Sequence, residues 1–279
     1  MMRQWGLAFS FLISAFSGLA SVPPDAAAQD RPAVSQCQAI ARTLPDVVYA
    51  SFSASDVLPA QARAEAVRIT YLGHSTFNIE TAGGVSIVTD YNGWYRPAAT
   101  PTVATMNKAH STHYTLNPEP GIAHVLHGWG DGGGPARHGL VVGDAYVRNV
   151  TTDIRSGGGV MEPDGNSIFI FEIAGLCIGH LGHLHHELDE GHYAEIGRLD
   201  VLMVPVDGGL TMGAESMSRV VTRLRSSLIL PMHRRGPPIT AFLSMFDDSF
   251  DRSYATGPSV TVSLRSLPRK PLIHILQGV

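Results

Sequence analysis

A chain of 279 residues, 44% hydrophobic and 16% charged, can bury a full globular core. A net charge of −4 with no Lys/Arg run argues against nonspecific nucleic-acid binding. No low-complexity linker divides the middle, so one large domain acting on a small-molecule substrate is expected.

The chain opens on Met-Met-Arg, then the apolar stretch Trp5 to Val22, then the small residues Ala26-Ala27-Ala28. That order reads as a signal peptide over residues 1–28 and predicts a periplasmic or secreted protein, free of the membrane after cleavage. A retained anchor is the competing reading, for which the stretch is marginal in length. Residues 29–66, rich in Ala, Pro and Gln, read as an N-terminal extension with one short helix around Val34 to Thr43. The core is expected over 67–279. Only two cysteines are present, Cys37 and Cys177. An oxidising compartment would join them, tying extension to core. Cys177, inside Gly175-Leu-Cys-Ile178, reads equally well as a small buried hydrophobe. Both readings stand at this stage.

Val67-Arg-Ile-Thr-Tyr-Leu72 alternates as a strand, Phe77-Asn-Ile-Glu80 continues it, and Ala82-Gly-Gly84 signals a hairpin turn before Val85-Ser-Ile-Val-Thr-Asp90. Further strands are expected at Gly121 to Leu126, Ala145 to Val150, Ser167 to Ile173 and Leu176 to Gly179. The second half changes character. A helix over Glu187 to Arg198 precedes the strand Val201 to Pro205. A helix over Ala214 to Arg225, with Val220, Val221 and Leu224 on one face, precedes the strand Ser227 to Pro231. Hairpins followed by strand–helix–strand units indicate sheets flanked by helices.

Histidines gather where these strands end. Ile178-Gly-His-Leu-Gly-His-Leu-His-His186 carries four, His110-Ser-Thr-His113 two, and Pro231-Met-His233 one. Imidazole is the commonest metal ligand and titrates near neutrality, so three such loops point to one site assembled from distant segments. His233 follows a strand directly, at the carboxyl end where ligands gather in α/β sheets. His74, in Gly-His-Ser-Thr, reads as readily as a turn histidine bonded to backbone as one facing the site. Of His124 and His127, one at most is expected near a pocket. No Gly-x-Ser-x-Gly supports a serine hydrolase.

The ordered segments Tyr71-Leu-Gly-His-Ser-Thr-Phe77, Ile87-Val-Thr-Asp90, Ile178-Gly-His-Leu-Gly-His183, Gly197-Arg-Leu-Asp-Val-Leu-Met-Val-Pro205, Gly208-Gly-Leu-Thr-Met212 and Ile229-Leu-Pro-Met-His233 resemble the metallo-β-lactamase superfamily. The resemblance is to its branch of L-ascorbate-6-phosphate lactonase-like and phospholipase-D-like hydrolases, and covers residues 67 to 235. It implies an α/β (α+β) fold, a four-layer αββα sandwich of two mainly antiparallel sheets, with the site on loops at one edge. It also implies zinc, manganese or iron, and water activated against an ester, lactone or phosphodiester.

The metal motif of that family, His-x-His-x-Asp-His, reads here Lys108-Ala-His110-Ser-Thr112-His113. A further family histidine becomes Thr152, before Asp153, and the family's bridging aspartate becomes His183. The resemblance then implies one ion rather than two, held by His113, His183 and His233, with His110 as fourth ligand or proton shuttle. Asp90, and Asp207 after it, would orient ligand histidines. Lys108 would bind a substrate oxygen. The alternative is a noncatalytic or metal-free binding protein that reuses the fold.

Overall fold

The computed structural model describes residues 35–38, 66–155 and 158–279, all within one compact unit, Ala33–Val279. The expected signal peptide and most of the expected extension lie outside these residues. Of the helix expected around Val34 to Thr43, the described part, 35–38, is a bend rather than a helix.

The first sheet grows from hairpins. Strand β1 (Val67–Gly73) buries Val67, Ile69 and Tyr71 while Arg68 faces solvent, the alternation of a half-covered strand. It pairs antiparallel with β2 (Thr76–Glu80), which pairs with β3 (Ser86–Val88). Beyond β3 the sheet turns parallel, through β4 (Val103–Met106) and β5 (His124–His127). The second sheet begins with β6 (Gly139–Val142), the long pair β7 (Ala145–Arg155) and β8 (Met161–Ile173), and β9 (Leu176–His180), all antiparallel.

From β9 onward, crossovers replace hairpins. Helix α1 (Glu190–Ile196) leads to β10 (Val201–Pro205), α2 (Ala214–Leu224) to β11 (Leu228–Met232), and α3 (Ile239–Leu243) to β12 (Asp251–Tyr254). Strand β13 (Ser259–Val262) returns to flank β1, and β14 (Leu272–Ile275) lies between β11 and β12. Strands β9, β10, β11, β14 and β12 run parallel. The expectation of mainly antiparallel sheets is thus corrected: both are mixed, because parallel neighbours need a long crossover, which helices supply in the second half and the loops 89–102 and 107–123 supply between β3, β4 and β5.

Burial explains the layering. Strands β9, β10 and β11 are buried at every position, as central strands covered on both faces must be. One core lies between the sheets, where Ile69, Phe77 and Ile87 meet Phe169, Phe171, Ile178 and Met203. A second lies outside the eight-stranded sheet, where Ile170, Leu202 and Ile229 meet Ile196, Met217, Val220, Val221 and Phe242 from the three helices. Among the described residues, the outer face of the six-stranded sheet is covered by loops, through Tyr91, Ile122, Tyr114 and Trp129, rather than by a helix. No described helix is long and apolar enough to cross a membrane.

Cys37 and Cys177 form a disulfide, and Cys177 is at the same time fully buried in the core on the helical side of the second sheet. The joined segment is also bonded on its own account. Ser35 Oγ and the Gln36 N–H donate to the buried carboxylate of Glu172, which pairs with Arg148, and the Arg198 N–H donates to the Cys37 carbonyl. The crosslink spans 140 residues, a loop whose closure entropy corresponds to on the order of 5 kcal/mol at 25 °C in the chain-entropy picture. Reduction, or the pair Cys37→Ser and Cys177→Ser, is therefore expected to lower the denaturant midpoint substantially. An unchanged midpoint would show that the Glu172 bonds alone hold the segment.

Candidate metal centre

Every residue of the site leaves the carboxyl end of a strand. His74 follows β1, Asp90 follows β3 by two residues, and Asn107 to His113 follow β4. His183, Asp207 and His233 follow β9, β10 and β11. Both sheets therefore deliver their chain ends to one edge of the sandwich. Three of these residues, His74, Asp90 and His233, adopt positive φ (54°, 44° and 53°), which costs about 1 kcal/mol or more at a non-glycine residue. The surroundings hold them there: the His233 N–H donates to the His74 carbonyl at 2.6 Å, and the Tyr71 hydroxyl donates to the same oxygen at 2.9 Å.

Four imidazoles converge. One nitrogen each from His74, His110, His113 and His233 can be chosen so that all lie within 4.8 Å of one another. His113 and His233 are fully buried, His74 is half-buried, and His110 is exposed, giving the group one open side. Nδ1 of His113 lies 2.6 Å from Asp90 Oδ2 and 3.1 Å from Ser75 Oγ. A carboxylate only accepts, so that nitrogen carries the proton and Nε2 faces inward. Nδ1 of His233 lies 2.8 Å from Asp207 Oδ2, in close contact though short of hydrogen-bond alignment. The two Nε2 atoms then face each other at 3.1 Å.

The carboxylates are themselves held. Asp90 is completely buried, and its other oxygen accepts from Asn107 Nδ2, whose Oδ1 in turn accepts from the Ser167 N–H. Burial pushes the Asp90 carboxyl up, but His113, His180 and the bonds from His113 and Asn107 outweigh it and leave it well below the usual range. Asp207 follows the same balance: desolvation is overcome by His233, the Thr211 hydroxyl and the N–H groups of Gly209 and Thr211. Both are ionised near neutral pH, which favours imidazoles oriented by their Nδ1–H.

The sequence-expected residues separate on inspection. His110, His113 and His233 are brought together. His183 packs against that group, its ring centroid 4.7 Å from that of His113 and 4.9 Å from that of His233. It lies outside the four-histidine set; its Nδ1 meets His185 Nε2 at 2.9 Å, and its Nε2 is buried without a partner. Gly182 makes this position reachable: at φ +60° a Cβ there would stand 2.4 Å from Asn107 Nδ2 and 2.6 Å from Asn166 Oδ1. Asp90 sits behind His113, so it positions that ring rather than facing substrate. Lys108 departs furthest from expectation. Its ammonium pairs with the Glu162 carboxylate at a separate cavity beside Trp129 and the Gly130–Gly134 loop, because the paired β7–β8 ribbon brings an acid there. Thr112 Oγ1 lies 2.7 Å from His110 Nδ1, so one ring nitrogen of His110 is already engaged.

The rest of the four-histidine run is structural. His180 is buried and bonded to the Ser75 carbonyl, His185 accepts from the Arg155 N–H, and His186 accepts from the Asp153 N–H. His127 stacks on Trp129 at 4.5 Å, away from the cluster. Sequence reasoning left His74 undecided and passed over Asn107 and Asn92. The signal for His74 is the left-handed backbone, which the following Ser75 and the preceding Gly73 (φ +131°) accommodate but do not announce.

Two mixed sheets with helices outside, and a histidine group with buried carboxylates behind it at one edge, define a metallo-β-lactamase-type sandwich. Residues 68–233 match the family model described as Beta-lactamase superfamily domain, and the chain belongs to that family. It is 33% identical over 75 residues to two proteins named UPF0173 metal-dependent hydrolase, from Pyrococcus furiosus and Pyrococcus abyssi. That stretch is 26% of this chain and spans about a third of each relative (33%). A solved structure from Thermotoga maritima, described as a candidate Zn-dependent hydrolase of the metallo-beta-lactamase superfamily, is similar at 26% identity and TM-score 0.56. It covers 75% of this chain and 98% of its own. A candidate metal-dependent hydrolase from Parabacteroides distasonis shares the fold at 16% identity and TM-score 0.53, over 66% of this chain and 89% of its own.

Burial first, then the neighbouring imidazoles, lower the histidines: His74 to about 3 and His110 to about 4, with the Arg235 charge adding to the effect on His110. Below about pH 6.5 an unfolded chain takes up protons that these folded histidines refuse. Stability of the metal-free protein is therefore expected to fall as pH drops from about 6.5 towards about 4. Urea midpoints across that range check this. The variant His74→Asn, which keeps a residue tolerant of positive φ, should flatten the slope.

Proposed function

We propose that this protein is an exported metal-dependent hydrolase with a single histidine-held ion, cleaving an ester, lactone or phosphodiester. The observation that carries the reading is the 3.1 Å approach of His113 Nε2 and His233 Nε2, with a carboxylate at the Nδ1 of each ring. Two imidazole lone pairs at that distance repel each other unless a cation or a proton lies between them. Nitrogens bound to one tetrahedral zinc at about 2.0–2.1 Å stand roughly 3.3 Å apart, so the spacing fits. The buried, unpartnered Nε2 of His74 supports the same reading, since such an atom is costly without a partner.

His113 and His233 would hold the ion together with His110 and His74, and zinc, manganese or iron suits such a donor set. A bound divalent ion supplies an acidified water and polarises the scissile group. The chain's own residues do the rest. Asp90 fixes the tautomer of His113, Asp207 stands beside Nδ1 of His233 and favours a proton there, and the Thr112 hydroxyl orients His110. His110, neutral near pH 7 and on the open side, has one nitrogen left beside Thr112, which serves either as a ligand or, where the other rings hold the ion, to take a proton as the substrate is attacked. His183 borders the same space, but its Nδ1 accepts from His185, so its buried Nε2 carries the proton and would donate to a substrate oxygen or a bound water rather than ligate the ion. The Cys37–Cys177 disulfide supports an oxidising compartment, in agreement with a signal peptide.

Metal analysis tests the reading. After zinc or manganese reconstitution the protein is expected to hold on the order of one ion per chain, and less than about a tenth would leave a metal-free binding protein as the answer. His113→Ala and His233→Ala should abolish retention, His74→Ala should weaken it, and His183→Ala and His192→Ala should leave it intact. Turnover is then sought on ester, lactone and phosphodiester panels, with a chelator removing it.

A further inference from the structure

The loop after β9 holds a chain of hydrogen bonds whose direction is set from one end. The Arg155 N–H donates to His185 Nδ1 at 2.6 Å. A backbone N–H only donates, so that nitrogen offers its lone pair and the neutral ring carries its proton on Nε2. Burial lowers His185 to about 4 and His183 further, so both rings are neutral near pH 7. His185 Nε2 stands between two acceptors, His183 Nδ1 at 2.9 Å and the Leu210 carbonyl at 3.1 Å. Two protonated nitrogens would repel at that distance, so His183 Nδ1 accepts and its Nε2 holds the hydrogen.

Both ends of this chain are anchored. The Arg155 guanidinium donates to the carbonyls of Gly209, Leu210 and Thr211, so one residue sets His185 and the loop that carries its second acceptor. His183 is held through its own N–H, which donates to Asn166 Oδ1 at 2.8 Å, while Asn166 Nδ2 donates to Thr152 Oγ1. Its ring packs into the histidine group, its centroid 5.2 Å from that of His110, 4.7 Å from that of His113 and 4.9 Å from that of His233. Only 4% of His183 is exposed, and its Nε2 has no partner. A buried N–H without an acceptor is costly, which points to a ligand atom that completes it. His113 and His183 are thus opposite in kind: one turns a lone pair inward, and the other keeps a proton.

We propose that His185 is a positioning residue that holds His183 as a fixed, neutral N–H donor, and that this donor receives an anionic oxygen of the ligand beside the imidazole group. The oxygen is the one that gains charge as an acyl or phosphoryl group is attacked, an assignment that rests on the hydrolase reading above. A donor fixed in advance in a dry site stabilises such charge without reorganisation. The Lys108 ammonium does not fill this role, since it is paired with Glu162. The Arg155 N–H is what gives the chain its direction. Without it, His185 could carry its proton on either nitrogen, and His183 could present a lone pair instead.

The test uses the full chain with isotope-labelled histidine, metal-free and zinc-loaded, followed by proton–nitrogen NMR of the rings. In both states His183 and His185 are expected to show a protonated Nε2 and a bare Nδ1. Loss of the His183 Nε2 proton on adding zinc would make it a ligand and overturn the proposal. Inorganic phosphate and acetate are then titrated separately, to tell a phosphoryl from an acyl preference. One of them is expected to shift the His183 Nε2–H signal downfield. His183→Phe, which keeps a ring without the donor, should weaken that binding on the order of tenfold, and His183→Gln should restore most of it. His185→Leu should weaken it as well, whereas His186→Leu, which removes the neighbouring bond to the Asp153 N–H, should leave it unchanged. Equal losses from His185→Leu and His186→Leu would overturn the positioning role. A chain that holds no zinc sinks the hydrolase reading alone; the anions are then titrated metal-free, with the same shift and the same ranking of variants expected. No shift at His183 with either anion in either state overturns the donor.

Discussion

Two imidazole nitrogens facing each other at 3.1 Å constrain everything around them. Such an arrangement is unfavourable for neutral rings on their own, and a protein that keeps it must bind each ring from behind. Asp90 and Asp207 do so from opposite sheets, and each carboxylate is fixed by its own set of donors: the Asn107 amide for one, three successive N–H groups for the other. Removing Asp90 would take the carboxylate acceptor from the His113 N–H, and removing Asp207 would take the charge from beside His233 Nδ1, so both acids serve to aim the rings. The local charge balance is also set here. Two buried carboxylates stand behind the imidazoles, a charge arrangement that favours a cation among the rings.

Backbone strain is part of the same device. His74, Asp90 and His233 all carry positive φ, and the first and last are clasped together by the 2.6 Å bond from the His233 N–H to the His74 carbonyl. That bond joins the end of β1 in one sheet to the end of β11 in the other. The two sheets are held chiefly by their shared apolar core, in which Phe77 and Ile87 meet Phe169 and Met203. A tightly packed core of this kind has low compressibility and transmits strain, so the histidine spacing depends on packing far from the site. Strained residues persist where surroundings over-determine them, and here three of them belong to one cluster.

Much of the fold was legible because the relevant patterns are local. The alternation in Val67 to Leu72 marks β1, and the polar-then-apolar order of residues 187–205 marks α1 and β10. Short strands such as β6 and β12–β14 were missed: four residues with mixed burial carry too little periodicity to separate from loop. Helix α3, five residues beginning after Pro238, is similarly brief. The site was legible in part. His110, His113 and His233 follow strands in an ordered family pattern, and Asp90 stood out with them. His74 could not be decided, because its membership depends on a left-handed turn and a cross-sheet hydrogen bond. Lys108 was misread because its partner, Glu162, lies across a ribbon that only the fold brings near.

The substitutions in the inherited motif form one consistent change rather than scattered losses. Lys108 points to Glu162, Thr112 orients His110, and Thr152 accepts from Asn166, whose Oδ1 accepts the His183 N–H. Each replacement is satisfied locally, so the altered positions are built rather than eroded. What they remove is negative charge next to the histidines; the remaining carboxylates stand one ring further back. An ion held by imidazoles alone keeps more of its charge, which acidifies a bound water further and weakens the hold on the ion itself. The buried Asp90 and Asp207 offset that second effect at a distance, through the rings they orient. On the single-ion reading proposed above, a site arranged in this way would give up affinity for metal while keeping the geometry of its rings.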